Sequence, residues 1–407
     1  MKHDVALLFT TRIIRLFAYG FLSVVLAFYL TEVGLTESQV GLLLTFTLAG
    51  DAGISLWLTT NADRIGRRRM LIAGAGLMVL AGIVFLLTRN PILLTLAAII
   101  GVISPSGNEI GPFLSIEQAG LSQLVSNEKR TQVFAWYNLV GSFATATGAL
   151  AGGWLAQGLQ SGGWSALDSY RFVLAGYALA GLVLVLCFLN TSAAVEVEQP
   201  TRNEKRTLGL HKSRGVVLKL SSLFALDAFA GGLIVQSMLA YWFHLRFGVD
   251  SGVLGSIFFG ANILAGISAL LAVKIAQKVG LINTMVFTHI PSNILLMLVP
   301  LMHNLPLAIG VLLARFSISQ MDVPTRQSYT MAVVAPDERS AASGVTSIAR
   351  SIGAALSPSL AGIFLGTPAL LSLPFFLCGG LKIVYDLALW REFSAVKPPE
   401  ENNPSKV

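Results

Sequence analysis

The sequence predicts an all-α integral membrane protein with twelve transmembrane helices in two pseudo-symmetric six-helix bundles. Three observations lead there. Of 407 residues, 54% are hydrophobic and only 12% charged, about half the charge of an average soluble domain, and the mean hydropathy is +0.71. Apolar segments of the roughly 20 residues that cross a bilayer recur along the whole chain. The two halves also repeat each other in register.

In order, the apolar segments run near 5–30, 38–60, 70–88, 91–125, 131–159, 171–190, 216–245, 252–277, 282–301, 305–334, 340–365 and 369–391. Backbone polar groups in lipid must be satisfied within the segment, so each is expected to be a helix. The fourth and tenth are longer than a bilayer needs and are expected either to extend into the cytoplasm or to break at Pro112 and Pro324. Met1 to Asp4 is too short and too mixed for a cleaved signal peptide, so the first segment is expected to be retained. Cys187 and Cys378 lie inside apolar segments with no CxxC or Cys/His spacing. They read as buried core residues, and neither a disulfide nor a metal site is implied.

The net charge of +7 does not point to nucleic acid, because the basic residues cluster in a few short connections. With the N-terminus inside, the outer connections hold only Arg89, Arg171 and Arg246. The inner ones hold Arg64, Arg67, Arg68, Arg69, Lys129, Arg130, Lys274, Lys278 and Arg339 among others. Positive charge stays on the cytoplasmic side, so both termini are expected there, in a cell membrane, the bacterial inner membrane being the expected one. The polar stretch 191–214 divides the helices six and six and reads as a flexible cytoplasmic linker. The expected organisation is an N-terminal bundle over 1–190, a linker over 191–215, a C-terminal bundle over 216–394 and a cytoplasmic tail over 395–407.

The halves align in two registers. Glu117-Gln118 through Glu128-Lys129-Arg130 falls on Arg326-Gln327 through Asp337-Glu338-Arg339, a shift of 209, which also brings Gly153 onto Gly362. Gly34, Gly41 and Asp63-Arg64-Ile65-Gly66 fall on Gly248, Gly255 and Gln277-Lys278-Val279-Gly280, a shift of 214. Such repeats are the trace of transporters whose two bundles rock around a central site.

Between the second and third segments runs Asp63-Arg64-Ile65-Gly66-Arg67-Arg68-Arg69. It resembles the loop between helices 2 and 3 of the major facilitator superfamily, G-x-L-a-D-R-x-G-R-R, with Thr59 in place of the first glycine and Asn61 in place of the leucine. The resemblance implies the major facilitator fold and a latch that closes the cytoplasmic side, carried by Asp63, Arg64, Gly66, Arg67 and Arg68. Physically, an aspartate at a helix end can meet the positive N-terminus of another helix or an arginine. The arginines can equally serve only as membrane anchors. Thr59 is expected to loosen the close helix approach there.

The run Gly148-Ala149-Leu150-Ala151-Gly152-Gly153 is similar to the GPxxGG signature of proton-driven drug antiporters in the same superfamily, with Ala149 replacing the proline. Gly148, Gly152 and Gly153 can equally serve plain helix packing, since small residues at this spacing let backbones touch. The repeat register sets Pro358 opposite Ala149. This resemblance favours an exporter over an importer.

Charges inside the membrane cost about 2.5–3.5 kcal/mol each at mid-bilayer and normally face a cavity or a partner. The chain has Arg12 and Arg15 in helix 1, Asp51 in helix 2, Glu109 and Glu117 in helix 4, with Asn108 beside Glu109. The second half has Asp227 in helix 7, Arg315, Asp322 and Arg326 in helix 10, Arg350 in helix 11, and Lys382 and Asp386 in helix 12. The resemblance implies that helices 1, 4, 7 and 10 line the cavity. Helix 1 arginines can then face helix 4 acids, and Asp227 can face helix 10 arginines. Arg12, Glu117 and Arg326 read as gate pairs near the cytoplasmic ends, and Arg15, Asp51, Glu109 and Asp322 as deeper groups. Glu109 and Asp322 are the preferred proton carriers. Lys382 and Asp386, four apart, read as a self-neutralising structural pair. Antiporters of this family usually carry an arginine in mid-helix 4; here Ser106 stands where the repeat has Arg315, which puts the usual coupling arrangement in doubt. Pro105, Gly107 and Pro112 predict an irregular stretch whose freed carbonyls could touch substrate.

No P-loop, HExxH or nucleophile elbow occurs, so neither an enzyme nor a cofactor is expected. The reading is a monomeric secondary transporter working by alternating access, exporting a small organic solute or drug in exchange for protons. Its rival is a uniporter or proton symporter importing a metabolite.

Overall fold

The computed structural model describes residues 2–109, 111–125, 127–196, 212–335 and 338–396, without the side chains of Lys2, Asp63, 127–132, Ala135, Ser340 and Ala341. The described residues are helical with no strand among them. The helices are α1 (Lys2–Ser23), α2 (Leu26–Glu32), α3 (Glu37–Ile65), α4 (Arg67–Leu87), α5 (Pro91–Ile100), α6 (Phe113–Leu124), α7 (Asn127–Ser161) and α8 (Ala166–Leu189). They continue as α9 (Arg214–Gly232), α10 (Gln236–Phe247), α11 (Ser251–Val279), α12 (Leu281–Leu298), α13 (Leu305–Phe316), α14 (Asp322–Ala332), α15 (Arg339–Leu356), α16 (Pro358–Leu365) and α17 (Leu373–Phe393).

Among the described residues, ten helical spans are long and apolar enough to cross a membrane, and α5 and α13 are shorter apolar helices. Those two open the fourth and tenth crossings, which α6 and α14 complete. The twelve crossings of the sequence are therefore present, with the fourth and tenth broken. Capping fixes where several begin. Thr36 and Gln39 form a reciprocal capping box at α3. Asn90, Ser165 and Asn304 cap α5, α8 and α13 through their side chains, each offering an oxygen to orphan amides of the first turn.

The fourth crossing leaves the helix over 101–112, where Gly107 and Gly111 have φ of 69° and 80° and Pro112 sits as the N-cap of α6. The tenth breaks at 317–321, not at Pro324. Pro324 lies in the first turn of α14, where a missing N–H would have no partner anyway, so it starts that helix instead of interrupting it.

The repeat reappears as backbone conformation. Gly66 (φ 117°) and Gly280 (φ 89°) turn the chain between consecutive helices at matched positions, and Gly34 (φ 107°) matches Gly248 (φ 66°). Only glycine adopts such angles without strain, so the pairing of these glycines reflects a shared turn geometry.

The chain divides into two compact units, one of Met1–Arg202 with Val235–Asn262, the other of Asn203–Ile234 with Ile263–Val407. In the first, α1 packs most extensively on α7, and in the second α15 packs on α9. A Cβ on Gly148 or Gly152 would lie 2.0 or 2.1 Å from the carbonyl oxygen of Phe17 or Phe21, and one on Gly353 would lie 2.2 Å from that of Ala225. Lipid offers no hydrophobic drive between helices, so close backbone approach through small residues is what joins them. Gly153 meets the start of α11 in the same way, at 2.2 Å from the Ser251 oxygen. Pro358 is the buried first residue of α16.

Candidate functional site

In the first unit, Arg12 and Arg15 are three apart on α1 and so project from one face. The broken fourth crossing brings two acids to them, Glu109 from its irregular stretch and Glu117 from α6. Arg12 Nη1 donates to Glu109 Oε2 at 2.7 Å, and Arg15 Nε to Glu109 Oε1 at 2.8 Å. The other two Arg15 nitrogens form a fork on Glu117, at 2.9 and 2.7 Å. Thr11 Oγ1 adds a donor to Glu117 at 2.9 Å, and the Tyr137 hydroxyl adds another. Arg12 also donates to Asn138 at 3.2 Å. The guanidiniums lie 4.3 Å from the ring centre of Tyr137 (Arg12) and 4.5 Å from that of Phe113 (Arg15).

The two acids differ. Glu117 and Arg15 have side chains 0% exposed, whereas Glu109 is 14% exposed. Glu117 is sealed among four donors, and hydrogen bonds to a charged group contribute about 1.5–3 kcal/mol each. Glu109 holds two arginines yet keeps an open edge.

The second unit gathers a different cluster. Asp227 of α9 receives Lys382 Nζ of α17 on Oδ1 at 2.5 Å, and Arg326 of α14 and Arg350 of α15 on Oδ2 at 3.2 and 3.1 Å. Arg326 also donates to Asp322, four residues earlier, at 2.8 Å. Close by in the chain, Asp386 is completely buried and accepts from Asn293 at 3.2 Å, with His289 Nδ1 at 2.8 Å.

These contacts revise several expectations. Lys382 and Asp386 do not pair with each other: Lys382 goes to Asp227 and Asp386 to His289. Their four-residue spacing gives proximity, but each has a better-oriented partner on another helix. Arg12, Glu117 and Arg326, read as gate pairs, are each buried and bonded directly to a group read as deeper. Three of the freed carbonyls of the fourth crossing are already bonded: Val102 to the Tyr177 hydroxyl, Pro105 to the Ser237 amide at 3.0 Å and Gly107 to Thr145 at 3.3 Å. Protein donors, not substrate, satisfy them.

Three residues stand outside both clusters. Asp51 is half-buried and accepts from Ser55 on its own helix at 3.3 Å. Asn108 is exposed, its backbone oxygen bonded to Ser104 at 2.8 Å. Arg315 lies at the end of α13 with its guanidinium 4.8 Å from the Phe316 ring centre, and its Nε is buried without a hydrogen-bond partner.

At the α3–α4 turn, the Asp63 side chain lies outside the described residues. Arg64 is exposed. The Arg67 and Arg68 amides donate to Glu196 at 2.7 and 3.1 Å, so this carboxylate caps α4 at its positive end. Arg67 is buried and reaches Gln123 at 2.9 Å and the Val195 oxygen at 3.3 Å; Arg68 reaches the Phe188 oxygen at 3.1 Å and that of Leu189. Residues 191–196 are thus docked, not a free tether: Val195 is buried beside Leu8, Leu121, Leu124 and Tyr137. At the far end, Glu338 accepts from the Lys212 and Ser213 amides at 2.7 and 2.8 Å; residues 197–211 lie outside the described residues.

Sequence reasoning missed Glu196, Glu338 and His289. His289 is an ionisable residue inside an apolar segment, the same signal that selected Asp227. The two glutamates sit in polar stretches where nothing local distinguishes them.

The model of the Major Facilitator Superfamily matches residues 8–358 and 246–407. An uncharacterised membrane protein of Saccharomyces cerevisiae is 32% identical, covering 95% of this chain and 93% of its own. Among solved structures, a variant of the nucleoside transporter NupG superposes with a TM-score of 0.77 at 14% identity, covering 96% of this chain and 99% of that one. A D-xylose–proton symporter gives 0.72 at 15%, covering 95% and 97%. A bacterial homologue of the human lysosomal transporter Spinster, inward-facing and occupied, gives 0.69 at 17%, covering 95% and 93%. Twelve crossings, an internal repeat and a match along nearly the whole chain agree: this is a multi-pass membrane protein belonging to the Major Facilitator Superfamily.

Proposed function

We propose that the protein is a secondary transporter working by alternating access that exports a small organic solute in exchange for protons, with Glu109 as the proton carrier. The observation that carries this reading is the partnership of Glu109: two arginines, a partly open edge and a seat on the unwound part of the fourth crossing. Protonating Glu109 removes the charge from two hydrogen bonds; Arg15 keeps its fork on Glu117, and Arg12 keeps its bond to Asn138 and the Tyr137 ring in place of an acid. The cluster can therefore exist in two protonation states, and a proton-dependent balance between conformations follows from that difference. Export is favoured by the glycine run at 148–153. The importing alternative draws support from the D-xylose–proton symporter, which shares the fold.

In proteoliposomes, Glu109→Gln is expected to abolish uphill movement driven by a pH gradient while sparing downhill exchange, which needs no net protonation. Asp322→Asn is the control that assigns the role; if it alone uncouples, the carrier lies in α14. Retention of pH-driven accumulation by both variants would sink the proposal and put the uniporter reading ahead.

The crowding of basic residues in the even-numbered connections supports a cytoplasmic position for both termini. A bacterial inner membrane fits the sequence reading, and the yeast relative equally admits a eukaryotic membrane. A cysteine at Thr36 should react with an impermeant reagent added outside, and one at Asn203 should not; the reverse pattern overturns the orientation. Asp63 is proposed as part of a latch on that cytoplasmic side, with Gly66 supplying its turn.

A further inference from the structure

Every other intramembrane arginine and lysine in the two clusters has an acid. Arg12 and Arg15 share Glu109 and Glu117, while Arg326, Arg350 and Lys382 converge on Asp227. Arg315 forms no ion pair or side-chain hydrogen bond among the described residues, and its Nε is sealed without a partner. Asp322, the acid of the same crossing, is engaged elsewhere, accepting from Arg326 at 2.8 Å.

The place of this cation rules out simple explanations. From the Asn304 cap, Arg315 lies about 16 Å along α13 at 1.5 Å per residue, close to the middle of a hydrocarbon core about 30 Å thick. A lipid phosphate is out of reach from there, and water alone is a poor substitute for a counter-ion. Arg315 stands in the last turn of α13, where the negative end of the helix dipole favours a cation. The guanidinium lies 4.8 Å from the ring centre of Phe316, and its terminal N–H groups, which make no hydrogen bond among the described residues, are left to donate to a ligand.

We propose that Arg315 binds an oxyanion, so that the transported solute is an organic acid or phosphate ester; this rests on the transport reading above. A guanidinium grips a carboxylate or phosphate through two parallel N–H donors, which a neutral or cationic solute cannot satisfy. The first half has Ser106 at the repeat position, so the anion site belongs to the second unit alone.

The test uses the purified full-length protein at constant ionic strength. Benzoate, succinate and glycerol phosphate are compared with benzamide, succinamide and glycerol as thermal stabilisers, with benzylamine as the cationic control. The expected result is stabilisation by at least one oxyanion and by none of the counterparts. Arg315→Gln should weaken that ligand about tenfold or more, Arg315→Lys should retain part of the affinity, and the ligand-free melting temperature should not fall in either variant. Stabilisation only by neutral or cationic solutes, or by none of the oxyanions, overturns the proposal. So does affinity in Arg315→Gln within about twofold of the parent. A drop in ligand-free stability in both variants, or their failure to purify as single species, makes the residue structural and also overturns it. Counterflow of the best ligand in liposomes separates the two readings. Arg315-dependent binding without counterflow defeats transport and leaves the anion site; counterflow of a solute bound equally by Arg315→Gln does the reverse.

Discussion

In the first unit, two arginines from one helix meet two glutamates, one within a helix break and one on the helix that follows it. In the second, one aspartate receives three cations from three different helices. The first arrangement is matched charge for charge and includes a spare connection, since Arg15 touches both glutamates. If Glu109 loses its charge there, Arg15 keeps Glu117, and Arg12 alone is left with a neutral partner, Asn138. The second has no such freedom. Neutralising Asp227 would leave Lys382 and Arg350 without their acid, and Arg326 with Asp322 only. Buried charges stripped of their partner cost several kcal/mol. The same residue types thus yield one cluster in which Arg15 bridges two acids, the basis of the proton exchange proposed above, and another in which three cations lean on one acid, with Arg315 adding positive charge to the same unit. The lesson is that connectivity among the charges, more than their number, assigns the roles.

The sharpest way to break this comparison is to remove a shared cation. Arg15→Gln leaves Glu117 buried without its fork and should cost about 3–5 kcal/mol, read as loss of folded protein or a large fall in melting temperature in detergent. Arg350→Gln should cost far less, because its side chain is 35% exposed and Asp227 keeps two cations. Equal losses would show that the two clusters tolerate damage alike, contrary to the contrast drawn above.

A smaller effect sharpens the second cluster. A double-mutant cycle between Asp227→Asn and Lys382→Met should give a coupling of about 1–3 kcal/mol, the range for residues in one ionic network. The cycle between Lys382→Met and Asp386→Asn should give clearly less, because those groups have separate partners. If the second coupling matches the first, the helix-face pair read from the sequence is the real one.

The smallest change concerns the helix ends. Glu196→Gln should lower stability by about 0.5–2 kcal/mol, the usual range for losing a side-chain cap, and Glu338→Gln by a similar amount. Both carboxylates hold two consecutive amides. A loss confined to one of them would mean that only one docked end of the 197–211 segment matters to its unit.

Much of this was legible from the chain itself. Twelve apolar stretches gave the crossings, the Pro/Gly-rich run at 105–112 gave the fourth break, and the glycine registers gave the repeat, whose matched positions Gly66 and Gly280 share a positive φ. Each of those signals is local: segment length, backbone angle and side-chain volume act within a few residues. The tenth break was misplaced because a proline in the first turn of a helix looks the same, in sequence, as one that interrupts it.

What the sequence determined by itself is which ionisable groups are forced into the membrane, because burying them is costly anywhere and their presence demands partners. Only the tertiary structure decided who those partners are. Arg15 and Glu117 are 102 residues apart, and Asp227 and Lys382 are 155 apart. Which of several candidate acids lies within 3 Å of a guanidinium depends on helix rotation and on where glycines let backbones approach. The Lys382–Asp386 spacing satisfied the only geometric rule available along one helix, and packing against α9 and α12 overrode it.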